Sequence, residues 1–354
     1  MFEDVLQAWD GDEAVVRFDA ATGTWMIVAV HDTTLGPGMG GTRMKTYAAP
    51  HDALADALRL AGAMTLKHAA AGLPYGGGKA VLAVPEVLPR GSERRVAVLR
   101  RYARMVDALG GTYVTAADMN TGQADMDVIG EHTTHVLGRS PERGGSGDPA
   151  PGTAQGVFHG IIATVGRALG SAPFAGHSVL VQGVGSVGGR LVELLHEAGA
   201  TLLVADADPA RATEVAVQVG ATVIDADNVI GVECDVFAPC ATGGVLSAAT
   251  IPRLRCRVVA GAANNQLAEP QDAELLAEAG ILYAPDFVIN AGGVLRLGGY
   301  ETLGWTDEQM AARLEGIGDT LTEIFSTAER EGITTDAAAE RLARARIDAA
   351  RRTG

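Results

Sequence analysis

The sequence predicts an α/β protein of two domains, and three observations predict it. At 354 residues the chain is long for a single core. Short apolar strands alternate with amphipathic helices along nearly its whole length. Near the middle, an apolar strand runs straight into a glycine-rich turn and then a helix, Ser178-Val179-Leu180-Val181-Gln182-Gly183-Val184-Gly185-Ser186-Val187-Gly188. Plentiful alanine and glycine with only 5% aromatics suit helices packed closely on sheets better than a β-sandwich.

Residues 12–31 read as strand, turn and strand. The segment Leu35-Gly36-Pro37-Gly38-Met39-Gly40-Gly41-Thr42-Arg43 is expected to be too glycine-rich for regular structure. An amphipathic helix follows, with Leu54, Ala57, Leu58, Ala61 and Met64 at helical spacing, and it delivers Lys67 near its C-terminal end. A short buried strand over 80–84, a helix over 94–109 and a strand over 111–116 lead to Asp118. Carboxyl ends of parallel strands are where α/β proteins place chemistry, so Asp118 is a candidate; capping the next helix is its alternative role.

Gly138 to Thr153, dense in glycine and proline, reads as an interdomain connection, with a long helix from about Ala154 to Leu169. Beyond it the glycine fingerprint is complete: a strand before, a helix after, a second strand over 201–205 and Asp206 at its end, roughly 20 residues past Gly185. This predicts a Rossmann-like dinucleotide site. The helix N-terminus serves the pyrophosphate and Asp206 the adenosine ribose hydroxyls. A carboxylate there repels a 2′-phosphate and so favours NAD over NADP, an inference that nearby Arg211 weakens only slightly. Strands over 235–239 and 257–261 end in the small-residue loops holding Cys240, Ala241, Ala262 and Asn264, which are expected along the cofactor cleft. A last strand over 281–285 leads to Asn290, Ala291, Gly292 and Gly293. Helical sequence fills the remainder and ends in a basic helix.

Lys79 follows three glycines in Leu73-Pro74-Tyr75-Gly76-Gly77-Gly78-Lys79. Such a lysine can bind phosphate, form an imine, or act as a base once its pKa is lowered; a tight turn before a solvated lysine is the competing reading. Composition narrows the partners. With 28 basic against 43 acidic residues the net charge is −15, which disfavours nucleic acid. Three cysteines without metal-like spacing point to neither a disulfide framework nor a metal site. An acidic N-terminus and the lack of a bilayer-spanning apolar run lead to the expectation of a cytoplasmic protein without membrane contact.

Together these residues resemble the glutamate, leucine, phenylalanine and valine dehydrogenase family. The matching segments run in family order over nearly the whole chain. They are 35–43, Lys67 with its flanks, Gly76 to Lys79, Thr115-Ala116-Ala117-Asp118, Gly183 to Gly188, 234–240, 262–265 and 285–293. The length resembles the shorter branch that acts on hydrophobic amino acids. The resemblance implies NAD-dependent, reversible oxidative deamination of an L-amino acid to a 2-oxo acid and ammonia, in a homo-oligomer assembled through the N-terminal domain. It implies that Lys67, with the Gly40 and Gly41 backbone, binds the substrate carboxylate. Lys79 would activate water for attack on the imine, and Asp118 would exchange protons with the amino group. Asn264 and Asn290 would position substrate and nicotinamide, and Thr153 would contact the nicotinamide amide.

The physical reading agrees with these roles. A free lysine titrates at about 10.4, too high for a base near neutrality. Desolvation and the like charge of Lys67 are expected to push Lys79 down, opposed by Asp118. Met39, Ala116, Val294 and Leu297 are expected pocket residues, apolar and without a cation for a side-chain carboxylate, so glutamate is disfavoured. Thr115 to Asp118 resembles the leucine and valine enzymes. The 138–145 run and Asn120 resemble actinobacterial phenylalanine dehydrogenases. His68 departs from the asparagine common after this lysine in leucine enzymes. The expectation is therefore a branched-chain aliphatic substrate, with phenylalanine as the alternative and a non-catalytic NAD-sensing protein as the remote one. The expected domains are 1–140 for substrate and oligomerisation and 150–327 for NAD, with a helix of about 328–354 packing back on the first.

Overall fold

The computed structural model describes residues 2–170, 174 and 176–353; Met1 and Gly354, the ends of the expected terminal segments, lie outside it. The chain forms two compact units. One comprises residues 1–148, 297–304 and 343–354, the other 149–296 and 305–342.

The first unit runs α1 (Phe2–Gln7), β1 (Glu13–Asp19), β2 (Thr24–Asp32), β3 (Gly38–Lys45), α2 (Pro50–Ala70), β4 (Gly76–Ala83), α3 (Glu93–Ala108), β5 (Tyr113–Ala117) and α4 (Gln123–Ile129). Its sheet has the order β1-β2-β4-β3-β5. β1 and β2 form the expected antiparallel hairpin, with Asp19 opposite Thr24, and β2 is antiparallel to β4. β3 lies parallel between β4 and β5.

Two expectations change here. The segment expected to be irregular becomes β3 from Gly38 onward, and Gly76 to Gly78 form the start of β4 and not a turn. Close packing explains both. A Cβ added at Gly40 would lie 1.7 Å from the Gly78 carbonyl oxygen, and one at Gly76 would lie 1.8 Å from that of Asp32. One at Gly77 would meet Thr65 Oγ1 of α2 at 1.9 Å. Backbone approach at these points outweighs the poor strand preference of glycine.

Strand alternation then sorts the side chains. Val81 and Ala83 pack with Leu54, Ala57 and Leu58 of α2, whereas Ala80 and Leu82 pack with Val98 and Tyr102 of α3. By the same alternation Lys79 projects to the α2 face.

The second unit contains α5 (Ala150–Leu169), β6 (Ser178–Gln182), α6 (Gly188–Glu197), β7 (Thr201–Ala205), α7 (Pro209–Val219), β8 (Thr222–Val223), β9 (Val236–Pro239), β10 (Val258–Val259), α8 (Asp272–Glu278), β11 (Leu282–Tyr283) and α9 (Asp286–Ile289). It also contains α11 (Asp307–Glu331); α10 (Gly292–Glu301) and α12 (Thr335–Thr353) are each divided between the units. α5 begins ahead of the expected start near Ala154, because prolines are tolerated in the first helical turn, where amides lack intrahelical acceptors. The sheet is parallel throughout, in the order β11-β10-β9-β6-β7-β8. The chain leaves β6 toward β7 and β8, then returns to β9 on its other side. That reversal makes the carboxyl ends of β6 and β9 the topological switch point.

Gly77→Ala is expected to push α2 off β4 and cost at least about 2 kcal/mol, the scale of overpacking a full core. Denaturant unfolding of the variant against the parent checks this; equal midpoints would refute the packing role.

Candidate active site

Lys79 is only 5% exposed, yet it carries a basic group. Its Nζ lies 3.2 Å from Asp118 Oδ2. Asp118 follows the last residue of β5, in a turn clipped to β3. Thr121 Oγ1 accepts from the Asp118 amide at 2.9 Å and donates to the Thr42 carbonyl at 2.8 Å. Asn120, left-handed at φ +63°, donates Nδ2 to the Met44 carbonyl at 3.0 Å. The capping alternative for Asp118 fails: Gly122 is the N-cap of α4, and its amide donates to Asp125 Oδ2 at 2.9 Å.

A second cation reaches the same carboxylate oxygen. Arg43 Nε donates to Asp118 Oδ2 at 3.0 Å, and its Nη1 donates to Asp56 Oδ2 on α2 at 2.9 Å. Tyr47 Oη and Arg59 Nη2 also donate to Asp56, at 2.7 and 3.0 Å. Burial pushes the Lys79 pKa down; Asp118 pulls it up, Arg43 pushes it down again, and the net direction is down. Burial alone would raise the Asp118 pKa, but the charges of Lys79 and Arg43 outweigh it and hold the carboxyl below its ordinary range. The like charge expected from Lys67 is thus supplied chiefly by Arg43. Arg43, Asp56 and Tyr47 escape the sequence reading. The available signal for Arg43 is its two-residue spacing from Gly41, visible only once that stretch is recognised as a strand.

Other expected substrate residues of the first unit gather on this sheet. Gly40 and Gly41 lie opposite Thr115 and Ala116, and Met39 opposite Gly77 and Val114. Met39, Ala116 and Leu297 are buried. A Cβ at Gly41 would lie 2.6 Å from the Ala117 carbonyl oxygen and 2.7 Å from the Asp118 Cβ, so a glycine here lets the chain that carries Asp118 pack directly on β3. Lys67 is half-buried on α2, the helix that covers the Lys79 face. Next to it His68 is wholly buried, with Nδ1 2.8 Å from the Gly76 carbonyl oxygen. Nδ1 therefore carries the proton, and Nε2 is an acceptor without a hydrogen-bond partner among the described residues. Burial pushes His68 down to about 4; the Gly76 bond resists and the charge of Lys67 assists.

The second unit holds the expected cofactor residues, and their surroundings fit a dinucleotide. Gly183 has φ +91°, and a Cβ there would overlap Ala241 at 2.7 Å; one at Gly188 would lie 1.9 Å from the Gly183 carbonyl oxygen. Gly185, by contrast, has nothing within 4 Å of where a Cβ would sit, the open approach a pyrophosphate needs. Ser186 and Val187 lead into α6, and Cys240 follows β9 with its thiol pushed up to about 12 by burial. Asp206 ends β7. Its Oδ2 accepts from the Val184 amide at 2.9 Å, and its Oδ1 accepts from the Asp208 amide at 2.9 Å and from Arg211 Nη1 at 3.3 Å. Asn290 Nδ2 donates to the Ala262 carbonyl at 3.1 Å and to Asn264 Oδ1 at 2.9 Å. Asn290 Oδ1 is buried without a hydrogen-bond partner among the described residues, an acceptor suited to a bound amide or ammonium. Thr153 Oγ1 sits beside Gly293, 2.7 Å from where its Cβ would be, and Val294 is half-buried on α10.

A parallel sheet with this fingerprint, in a chain that also carries a buried lysine–aspartate pair, has the parts of a nicotinamide-dependent oxidoreductase. Residues 16–135 match the family model described as Glu/Leu/Phe/Val dehydrogenase, dimerisation domain, and residues 204–354 match that described as Glutamate/Leucine/Phenylalanine/Valine dehydrogenase. The chain belongs to this family. It is 44% identical to a leucine dehydrogenase of Geobacillus stearothermophilus, over 98% of this chain and 93% of that protein. It is 44% identical to a valine dehydrogenase of Streptomyces coelicolor, over 96% and 93%. The crystal structure of L-tryptophan dehydrogenase from Nostoc punctiforme matches with a TM-score of 0.83 at 40% identity, covering 99% of this chain and all of that one. The protein is an amino acid dehydrogenase, and its Rossmann-like domain takes a nicotinamide cofactor. Among the described residues no helix is long and apolar enough to cross a membrane.

His68 gives the fold an acid-sensitive point. Its pKa, about 4 when folded against 6.5 ordinarily, means that the unfolded chain binds the proton first as pH falls. Stability from this group is intact above pH 6.5 and is lost progressively down to about pH 4, by about 3 kcal/mol in all. His68→Asn is expected to flatten that loss. Urea unfolding at both ends of the window measures it, and equal slopes in parent and variant would refute it.

Proposed function

We propose that the protein catalyses NAD-dependent, reversible oxidative deamination of branched-chain aliphatic L-amino acids, leucine, valine and isoleucine, to the 2-oxo acid and ammonia. The observation that carries this reading is the buried Lys79 Nζ at 3.2 Å from Asp118 Oδ2. Lys67 holds the substrate carboxylate with the Gly40 and Gly41 backbone. Asp118 accepts a proton from the substrate ammonium, leaving an amine lone pair on the nitrogen. The Gly183–Gly188 turn and Asp206 would hold the nicotinamide cofactor, which would supply the acceptor for the Cα hydrogen as hydride. Neutral Lys79 then removes a proton from water as that water adds to the imine carbon. Asp118 returns its proton to the carbinolamine nitrogen, ammonia departs, and the carbonyl forms as the hydroxyl proton passes to the Asp118 carboxylate. A lowered Lys79 pKa suits the base role, and a carboxylate held ionised suits Asp118.

NAD is favoured over NADP because Asp206 places a carboxylate at the end of β7, while Arg211 is already engaged by Asp206 and Asp208. Met39, Ala116 and Leu297, all buried and apolar, favour an aliphatic substrate side chain. Phenylalanine is the second reading, favoured by the 138–145 run and Asn120. A homo-oligomer is favoured by the name of the family model over residues 16–135.

Lys79→Ala is expected to lower turnover at least about a thousandfold, near the upper range of general-base effects, while NADH binding followed by fluorescence stays close to that of the parent. Near-normal deamination would overturn the assignment. Steady-state kcat/KM over leucine, valine, isoleucine, phenylalanine and glutamate, first with NAD and then with NADP, is expected to rank the branched-chain substrates with NAD first. Phenylalanine in first place would favour the second reading, and a preference for glutamate or NADP would refute both.

A further inference from the structure

We propose that Arg43, anchored by Asp56, is a positioning residue that lets Lys79 become neutral while Asp118 stays ionised. The inference rests on the base role of Lys79. Its footing is geometric. One carboxylate oxygen, Asp118 Oδ2, accepts from Lys79 at 3.2 Å and from Arg43 Nε at 3.0 Å. The remaining fork of Arg43 is occupied by Asp56 at 2.9 Å, so the guanidinium bridges two carboxylates from β3. Arg43, Asp56, Asp118 and Lys79 are all largely shielded from water, with side chains 14%, 15%, 21% and 6% exposed.

A buried lysine–carboxylate pair alone is a poor base. Each charge is the other's only compensation, so proton loss from the lysine strands an unpaired carboxylate. A permanently charged guanidinium on the same oxygen removes that penalty, because Asp118 keeps a cation when Lys79 gives up its proton. It also repels the ammonium form of Lys79 directly. Asp56 prevents the arginine from collapsing fully onto Asp118 and displacing the lysine. Tyr47 and Arg59, both bonded to Asp56, fix that anchor in turn. The charged and titratable groups on the elements around Lys79 are Arg43 and Lys45 from β3, Tyr47 after it, Tyr113 from β5 and Asp118 after it, His31 and Asp32 from β2, and His51, Asp52, Asp56, Arg59, Lys67 and His68 from α2. Arg43 is the cation that shares an acceptor atom with Lys79.

The sign of the effect is fixed. Deamination needs neutral Lys79, so the acidic limb of kcat/KM against pH follows its pKa. Without the Arg43 charge that pKa rises, and the limb moves to higher pH. Arg43→Gln is expected to move it up by about one pH unit or more, whereas Arg43→Lys, which keeps the charge, leaves it within about 0.3 units of the parent. A folded, active Arg43→Gln enzyme with an unmoved limb would overturn the proposal, as would Arg43→Lys shifting as far as Arg43→Gln. If Arg43→Gln does not fold, Asp56→Asn tests the same network. It keeps the charge but frees the guanidinium, so turnover is expected to fall about tenfold or more without an upward shift of the limb; parental turnover would overturn the proposal. Lys79→Ala separates the two levels. If that variant still deaminates, the base reading fails; if it is inactive while the Arg43→Gln limb is unmoved, only the role of Arg43 fails.

Discussion

The first unit depends on backbone packed against backbone with no side chain between. At Gly40 and Gly76 the neighbouring carbonyl oxygens occupy the space a Cβ would need, and at Gly77 helix α2 occupies it. These contacts draw β3, β4 and α2 together at one level of the sheet. Lys79 follows directly on the glycines within β4, so its stem runs into an interior from which water is excluded. A lysine two residues later would fall on the same face, but among Val81 and the apolar residues of α2. Depth and alternation together make position 79 the one where a buried ammonium meets a carboxylate.

That burial sets the electrostatics. Removing an ammonium from water disfavours its charge, and an isolated lysine there would simply be neutral and unpositioned. Asp118 restores part of the charge and fixes the Nζ position. Arg43 and Asp56 add one charge of each sign, which leaves the local sum unchanged but gives the Asp118 carboxylate a second cation. The quartet is balanced with Lys79 protonated. On the proposed reading, a substrate ammonium entering this quartet would add one positive charge and favour proton release from the group most strongly desolvated.

How legible each part was in the sequence follows from how local its cause is. The dinucleotide fingerprint is contiguous: strand, glycine turn, helix and second strand lie within about 30 residues, so its physics can be read along the chain. Lys67, Lys79 and Asp118 stand out because charged groups beside glycines or at strand ends are conspicuous. β3 was illegible because strand preference argues against glycine, and only a partner strand far along the chain explains why it is tolerated. Arg43 was hidden by the same misreading, since its face is defined only once β3 exists. Asp56 carries no signal at all: it is one more polar residue on an amphipathic helix until Arg43 and Tyr47 are brought to it. Sequence proximity therefore points to Lys67 as the cation opposing Lys79, and only the fold shows that Arg43 shares an acceptor atom with it.

The two units solve opposite problems with the same residue type. In the first, glycines close space, so that strands and a helix approach until a charged group is trapped among them. In the second, Gly183 and Gly188 close space in the same way, but Gly185 leaves it open, and the opening lies at the switch point ahead of α6. A glycine count cannot distinguish these uses, and neither can a motif written as a spacing. What distinguishes them is what a methyl group would strike: a backbone oxygen or a helix in one case, nothing in the other. At Gly183 and Gly188 the missing side chain would strike neighbouring residues and so serves the fold, whereas at Gly185 it would strike nothing, which is why the proposed pyrophosphate site is placed there.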